Sequence, residues 1–172
     1  MNLVAATFPD LTASNLGGRA MHLPADFEGL LNLVMIAFQR DQQGDVDTWL
    51  EPGRRLAAEF PTLACYELPV IGKMNPLFRR FIANGMRSGI PDPKARAATI
   101  TLQLDKTAFR RYVQLPVQDR AYPMIVDRQG PVTWRAAIRE REAHAQQPRA
   151  TTAAHTKPQP NLSSARPDPS DA

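Results

Sequence analysis

The chain has 172 residues, of which 43% are hydrophobic, and a formal net charge of +4. This length and hydrophobic content suit one globular domain with a buried core, and they exclude a chain that is disordered throughout. The single cysteine, Cys65, excludes an intramolecular disulfide. No apolar run approaches the roughly 18 residues that a membrane span needs, so we expect no stable membrane insertion and leave peripheral contact open.

The first predicted elements are a hairpin and a buried strand. FPDLTASN and RAMHLP flank Gly17-Gly18, and a glycine pair suits a tight hairpin turn. The run NLVMIAF, residues 32–38, is almost continuously apolar, as in a strand covered on both faces. A helical pattern then runs from Asp45 to Phe60, and Pro52 predicts a kink or a break within it.

Strands and helices continue to alternate along the rest of the domain. The further predicted strands cover residues 63–68, 97–104, 122–126 and 132–135, and the further predicted helices cover 76–86, 105–113 and 136–145. This alternation predicts an α/β domain, and the closing hairpin makes its central sheet mixed. We assign residues 1–145 to this domain.

Residues 146–172 have a different composition. They hold five of the sixteen prolines, and their one large aliphatic residue is Leu162. Such a segment cannot bury enough apolar surface to offset its ordering entropy, so we expect a disordered, proline-rich tail. A docking role for this tail is the alternative, although it contains no PxxP core.

The N-terminus and the charge pattern indicate the location and the class of partner. MNLVAATFPDLTASN lacks the basic start and the long apolar run of a signal peptide, so we expect a cytoplasmic protein. The arginine pairs at residues 54–55, 79–80 and 110–111 are scattered, and we interpret them as solvated helix faces. A phosphate or nucleic-acid patch is the alternative, and we predict no nucleic-acid partner.

The order of elements resembles the thioredoxin-like superfamily, in its peroxiredoxin-related branch. FPDL at residues 8–11 is similar to the entry motif of that branch, and NLVMIAF is similar to the strand that leads to the redox loop. YPMIVDRQGPVTW resembles the segment where thioredoxins place a cis-proline before an edge hairpin. The resemblance implies a thioredoxin-like fold over about residues 8–145, with helices flanking the mixed sheet and a cis Tyr122–Pro123 bond facing the loop at residues 40–44.

The redox centre of that superfamily is missing. Its cysteine stands at the first turn of the helix after the central strand, where this chain has FQRDQQGDVDTW and no sulfur. The segment AFQRDQQGDVDTW is similar to the mitochondrial ATP synthase assembly factor family and its bacterial relatives. So are ELP at residues 67–69, GMRSGI at 85–90, RAATIT and YPMIVDRQGPVTWR. That family is thioredoxin-like, lacks the active-site cysteines and is implicated in assembling the membrane sector of the ATP synthase.

The residues themselves indicate no catalytic site. Cys65 lies within LACYEL and is interpreted as a buried core residue, because a reactive thiol needs exposure and positive neighbours. The histidines His22, His144 and His155 are far apart, and no spacing suits a metal. We predict no catalytic residue, no metal and no cofactor.

A binding surface is predicted around the start of the helix after the central strand. A helix N-terminus attracts anions, and the glutamine and arginine side chains there offer hydrogen-bond donors. Trp49, one turn further, is either a core residue or an interface anchor. The candidate residues are Arg40, Asp41, Gln42, Gln43, Trp49, Tyr122 and Pro123.

These observations favour a redox-inactive thioredoxin-like protein that binds a protein partner. Its role would be that of an assembly or chaperone-like factor, with the ATP synthase as one target. We therefore expect that the protein is not an enzyme. The alternative is a thiol-dependent oxidoreductase that uses Cys65 with an external thiol such as glutathione. The partner and the oligomeric state stay open.

Overall fold

The computed structural model describes residues 6–138. The strands are β1 (Leu11–Asn15), β2 (Ala20–Leu23), β3 (Leu31–Ala37), β4 (Leu63–Ile71), β5 (Ile100–Gln103), β6 (Tyr122–Asp127) and β7 (Val132–Arg135). The helices are α1 (Gln43–Glu59), α2 (Pro76–Gly89), α3 (Pro93–Ala98) and α4 (Lys106–Tyr112). A single 3-10 turn, Arg40–Gln42, connects β3 to α1.

The strands form one mixed sheet in the order β2–β1–β5–β4–β3–β6–β7. Strand β3 lies parallel to β4 and antiparallel to β6, and β4 lies parallel to β5. The β1–β2 hairpin turns at its glycine pair, where Gly18 has a φ of 94° that a residue with a side chain rarely adopts. The prediction of a mixed sheet with an N-terminal hairpin is confirmed.

Both faces of the central strand β3 are buried. Successive side chains of a strand point to opposite faces, so Val34 and Ile36 enter one core while Leu33 and Met35 enter the other. The first core is rich in aromatic residues, and the second lies beneath α1. This two-sided burial explains why residues 32–38 are almost continuously apolar.

Helix α1 crosses the second core without interruption, so the predicted break at Pro52 is wrong. Pro52 is exposed, and it removes only one hydrogen bond from a helix whose Val46 and Leu50 are buried against the sheet. Gly53 lets the helix approach closely. A Cβ atom there would lie 2.7 Å from Leu33 Cδ2 and 2.9 Å from Cys65 Sγ.

Two further segments differ from the sequence-based prediction. Residues 93–98 form α3, because the Asp92 carboxylate accepts hydrogen bonds from the Lys94 and Ala95 backbone N–H groups and caps a helix that starts at Pro93. Residues 136–138 are not helical, whereas a helix was predicted over 136–145. The remainder of that helix and the predicted tail, 146–172, lie outside the described residues.

Within residues 6–138, no helix is long and apolar enough to cross a membrane. The cytoplasmic location stays a prediction.

Candidate functional site

The turn after β3 is organised by a buried glutamine. Gln42 is 4% exposed, and its Oε1 accepts hydrogen bonds from the backbone N–H groups of Phe38 (2.8 Å) and Gln39 (3.3 Å). Its Nε2 donates to the carbonyl oxygen of Gln118 at 2.8 Å. Gln39 Nε2 donates to the same carbonyl at 3.1 Å. Gln42 therefore fixes the turn to the loop before β6, and its amide is not available to a ligand.

Three other predicted residues lie at the surface of this turn. Arg40, Asp41 and Gln43 are all exposed. Arg40 and Gln43 line a cleft described below, and Gln43 Nε2 donates a hydrogen bond to Asp47 Oδ1 at 3.0 Å. The structure thus brings two of these three side chains to a cavity.

The prediction that Tyr122–Pro123 is a cis peptide bond is wrong. The Tyr122–Pro123 bond is trans, and among the described residues the cis bond is Leu23–Pro24. Pro123 is the second residue of β6, buried and paired with Met35, so it lies within the sheet and not in the preceding turn. Tyr122 is 1% exposed, and its hydroxyl hydrogen-bonds the backbone of Val117. The Gln118 carbonyl faces the turn instead.

Trp49 packs at the edge of the second core. It is half-buried and contacts this core, and its ring centroid lies 6.0 Å from that of Trp134. Trp134 is 43% exposed on the edge strand β7. Trp49 is thus both a partial core residue and part of an aromatic pair at the surface.

A cleft of about 1230 Å³ lies between α1, β4 and α2. The α1 side is formed by residues spaced three and four apart, which share one helix face. The β4 side is formed by alternate residues, which share one face of the strand. The polar and charged residues of the lining that are used below are Gln43, Asp47 and Arg54 of α1 and Glu67 of β4. The apolar ones are Ile82 and Met86 of α2, and Ile90, which follows α2.

Glu67 is the buried charge of this cleft. It is 6% exposed. Burial raises the pKa of Glu67, and the neighbouring Asp47 charge raises it further, while a hydrogen bond from the Gln43 side chain and the charge of Arg54 lower it. Among the side chains that the structure describes, none forms an ion pair within 4.0 Å with Glu67. A perturbed carboxyl group in a cleft is a typical mark of a functional site.

Cys65 lies two residues before Glu67 on the same face of β4, outside the cleft lining. Its thiol is half-buried beneath Gly53 of α1. Burial raises the pKa of the Cys65 thiol to about 11, the nearby Arg54 charge lowers it and the Glu67 charge raises it. The thiol is therefore mostly protonated near neutral pH.

The sequence analysis missed Glu67 and Arg54. The available signal was an acidic residue inside an apolar strand, since Glu67 interrupts LACYELPVI. Arg54 is one of a pair, and only the structure shows that it, and not Arg55, lines the cleft. Among the described residues, no group of three or more histidine, cysteine or acidic side chains could hold a metal.

Comparisons with known proteins identify the fold. Neither a family model nor a curated protein matches the sequence. The thioredoxin domain of a thiol-disulfide oxidoreductase from Bacteroides vulgatus matches with a TM-score of 0.53 and 16% identity, covering 84% of this chain and 95% of that one. A thiol-disulfide oxidoreductase from Bacteroides fragilis matches with a TM-score of 0.53 and 11% identity, covering 81% and 94%. BsSco, a member of the Sco family of cytochrome c oxidase assembly proteins described as carrying a disulfide switch, matches with a TM-score of 0.52 and 12% identity, covering 78% and 84%.

The chain has a thioredoxin-like fold, as predicted. The main functional prediction, a redox-inactive binding, assembly or chaperone-like factor, is contradicted, because two of these similar structures are thiol-disulfide oxidoreductases and the third is described with a disulfide switch. They favour the alternative, in which Cys65 takes part in thiol chemistry. The narrower resemblance to the ATP synthase assembly factor family is not supported by these structures.

Proposed function

We propose that the protein is a thiol-dependent oxidoreductase in which Cys65 acts with an external thiol. The observation that carries this proposal is a thioredoxin-like fold, shared with thiol-disulfide oxidoreductases, around a single partly accessible thiol. The thiol lies on β4 and not at the start of α1, where the superfamily's cysteine stands. With one cysteine, an intramolecular disulfide cannot form, so the second thiol must come from solution.

The exchange proceeds in two balanced steps. The Cys65 thiol loses its proton to solvent, and the thiolate attacks one sulfur of a low-molecular-weight disulfide. A new sulfur–sulfur bond forms, the old one breaks, and one small thiolate leaves. A second small thiolate then attacks the sulfur of the bound small thiol, which releases the Cys65 thiolate and a new small disulfide. The protein returns to its starting state, and the external thiol is the net reductant.

The raised pKa of Cys65 fixes the kinetics of both steps. With a pKa of about 11, roughly one thiol in ten thousand is ionised near pH 7, so the first step is slow there. A thiolate of high pKa is also a poor leaving group, so the second step is slow and the mixed disulfide is long-lived. The activity should rise with pH until the thiol is ionised.

Turnover of hydroxyethyl disulfide by glutathione tests the proposal. Because both steps are slow near pH 7, wild-type protein should accelerate the reaction measurably only at about pH 9–10, where more of the Cys65 thiol is ionised. Both Cys65→Ser and Cys65→Ala should abolish this acceleration while staying folded by circular dichroism. Equal rates for wild type and both variants would refute the proposal.

A matched pair of arginine variants tests the position of the thiol. Arg54 and Arg55 are both exposed on α1, but only Arg54 lowers the pKa of Cys65. Arg54→Ala should therefore slow the reaction of Cys65 with disulfides at fixed pH by roughly a factor of two, the size expected of an exposed, screened charge. Arg55→Ala should leave the rate unchanged. Equal effects of the two variants would show that Arg54 has no specific influence on the thiol.

A further inference from the structure

The cleft between α1, β4 and α2 contains a buried carboxyl group that forms no ion pair with any side chain that the structure describes. Glu67 is 94% buried, since 6% of its surface is exposed, and within the described part of the chain no ion pair within 4.0 Å reaches it. Burying a carboxylate is costly unless it is paired. The proposed thiol chemistry does not use Glu67.

The groups around Glu67 leave room for a cation. Gln43 Nε2 donates a hydrogen bond to Asp47 Oδ1 at 3.0 Å, and the Gln43 side chain also lowers the pKa of Glu67. An ionised carboxyl group can accept several hydrogen bonds, so this one neutral amide does not satisfy both carboxyl groups. The charge of Arg54 acts on Glu67, but Arg54 forms no ion pair within 4.0 Å with Glu67 or Asp47.

The other charged groups of the cleft are either engaged or placed elsewhere on its lining. Lys106 Nζ donates a hydrogen bond to the Phe38 carbonyl oxygen. The Asp92 carboxylate caps α3 through two backbone N–H groups. Arg40 is exposed on the 3-10 turn that precedes α1. Asp47 is therefore the second carboxyl group at the Glu67 end of the cleft, next to the Gln43 side chain that acts on both.

The opposite wall of the cleft is apolar. Ile82 and Met86 stand one turn apart on α2, and Ile90 follows the helix. Leu50 of α1 adds apolar surface on the side of Glu67. The volume of about 1230 Å³ accommodates a small organic molecule. A ligand that fills this space has one polar end at the two carboxyl groups and an apolar body against α2.

We infer that this cleft binds a small organic amine, with its ammonium group at Glu67 and Asp47 and its apolar body against Ile82 and Met86. The ammonium supplies the charge and the N–H donors that the buried carboxyl group lacks. Neither a carboxylate ligand nor an uncharged one of the same size offers both. The inference is independent of Cys65.

Binding of n-hexylamine, followed by nuclear magnetic resonance chemical shifts at about pH 7.5, tests the inference. Hexanol and hexanoate are the matched probes, because they keep the apolar chain and change only the polar end. Hexylamine should bind at least tenfold more tightly than either, with the largest shifts at residues of the cleft. Equal binding of hexylamine and hexanol, or preferred binding of hexanoate, would overturn the inference.

Variants and pH assign the contact to Glu67. Glu67→Gln should weaken hexylamine binding at least tenfold. Glu51→Gln removes an exposed carboxyl group of α1 that lies outside the lining, and it should leave the binding unchanged. The affinity of the wild-type protein for hexylamine should also fall as the pH drops through the raised pKa of Glu67. This pH dependence needs no variant, so it tests the inference even if Glu67→Gln does not fold. Cys65→Ser should bind hexylamine normally even if it loses thiol exchange. Unchanged affinity in Glu67→Gln, together with no pH dependence, would refute the assignment.

Discussion

Replacing Gln42 by alanine should destabilise the turn that connects β3 to α1. The substitution removes the acceptor of two backbone N–H groups and one donor to the Gln118 carbonyl. Gln39 continues to donate to that carbonyl, so the main loss is the hydrogen bond of the buried Phe38 N–H at 2.8 Å. About 1 kcal/mol for this one hydrogen bond, with a further penalty of about 1–2 kcal/mol for the buried donor left unsatisfied, gives roughly 2–3 kcal/mol.

Chemical denaturation in urea and thermal unfolding measure this loss. A destabilisation of roughly 2–3 kcal/mol corresponds to a fall of about 8–12 °C in Tm for a domain of this size. Gln129→Ala is the control, because Gln129 is an exposed turn residue, and it should change stability by less than about 0.5 kcal/mol. The reasoning is refuted if Gln42→Ala and Gln129→Ala have the same stability.

Three further predictions concern a glycine, a carboxyl group and the C-terminal segment. Gly53→Ala should lower the free energy of unfolding by about 1–2 kcal/mol, because overpacking against two side chains within 3 Å outweighs the gain in helix propensity. Gly44→Ala should raise the free energy of unfolding by up to about 1 kcal/mol, because its new Cβ would have no atom within 4 Å. Equal urea midpoints for the two variants would contradict this. Glu67→Gln should raise Tm near pH 7.5 but not near pH 4. The pKa of Glu67 in the folded protein lies above its ordinary value of 4.5, so ionisation of Glu67 destabilises the fold only as the pH rises through that range. The same Tm difference between variant and wild type at both pH values would contradict this. Deletion of residues 147–172 should leave Tm nearly unchanged, and a fall of more than about 5 °C would show that this segment packs on the domain.

The fold could be predicted because its signals are local. The apolar run of β3, the glycine pair of the hairpin and the alternation of strands and helices each depend on a few neighbouring residues. The continuation of α1 through Pro52 could not be predicted in this way, since it depends on packing of the helix against a sheet formed by distant segments. Helix α3 was missed because no element was predicted between the helix at 76–86 and the strand at 97–104, although Asp92 and Pro93 there cap and start a helix.

Only two of the residues that line the cleft were among the site residues predicted from the sequence. Arg40 and Gln43 line the cleft, as residues next to a helix N-terminus could. Gln42 is buried and holds the turn together, and the composition of the segment alone does not distinguish a buried glutamine from an exposed one. Glu67 and Arg54 are 13 residues apart, and only the packing of α1 on β4 brings them to one cavity.

The measurement that tests the proposed function most directly is the pH dependence of mixed-disulfide formation at Cys65. Folded protein is incubated with glutathione disulfide between about pH 7 and pH 10.5, and mass spectrometry follows the addition of one glutathionyl group. Because the pKa of Cys65 is about 11, the rate should rise about tenfold per pH unit over most of this range, and Cys65→Ser should form no adduct. Absence of the adduct in folded wild-type protein at every pH, with rapid formation after unfolding in denaturant, would contradict the account and leave Cys65 as a core residue.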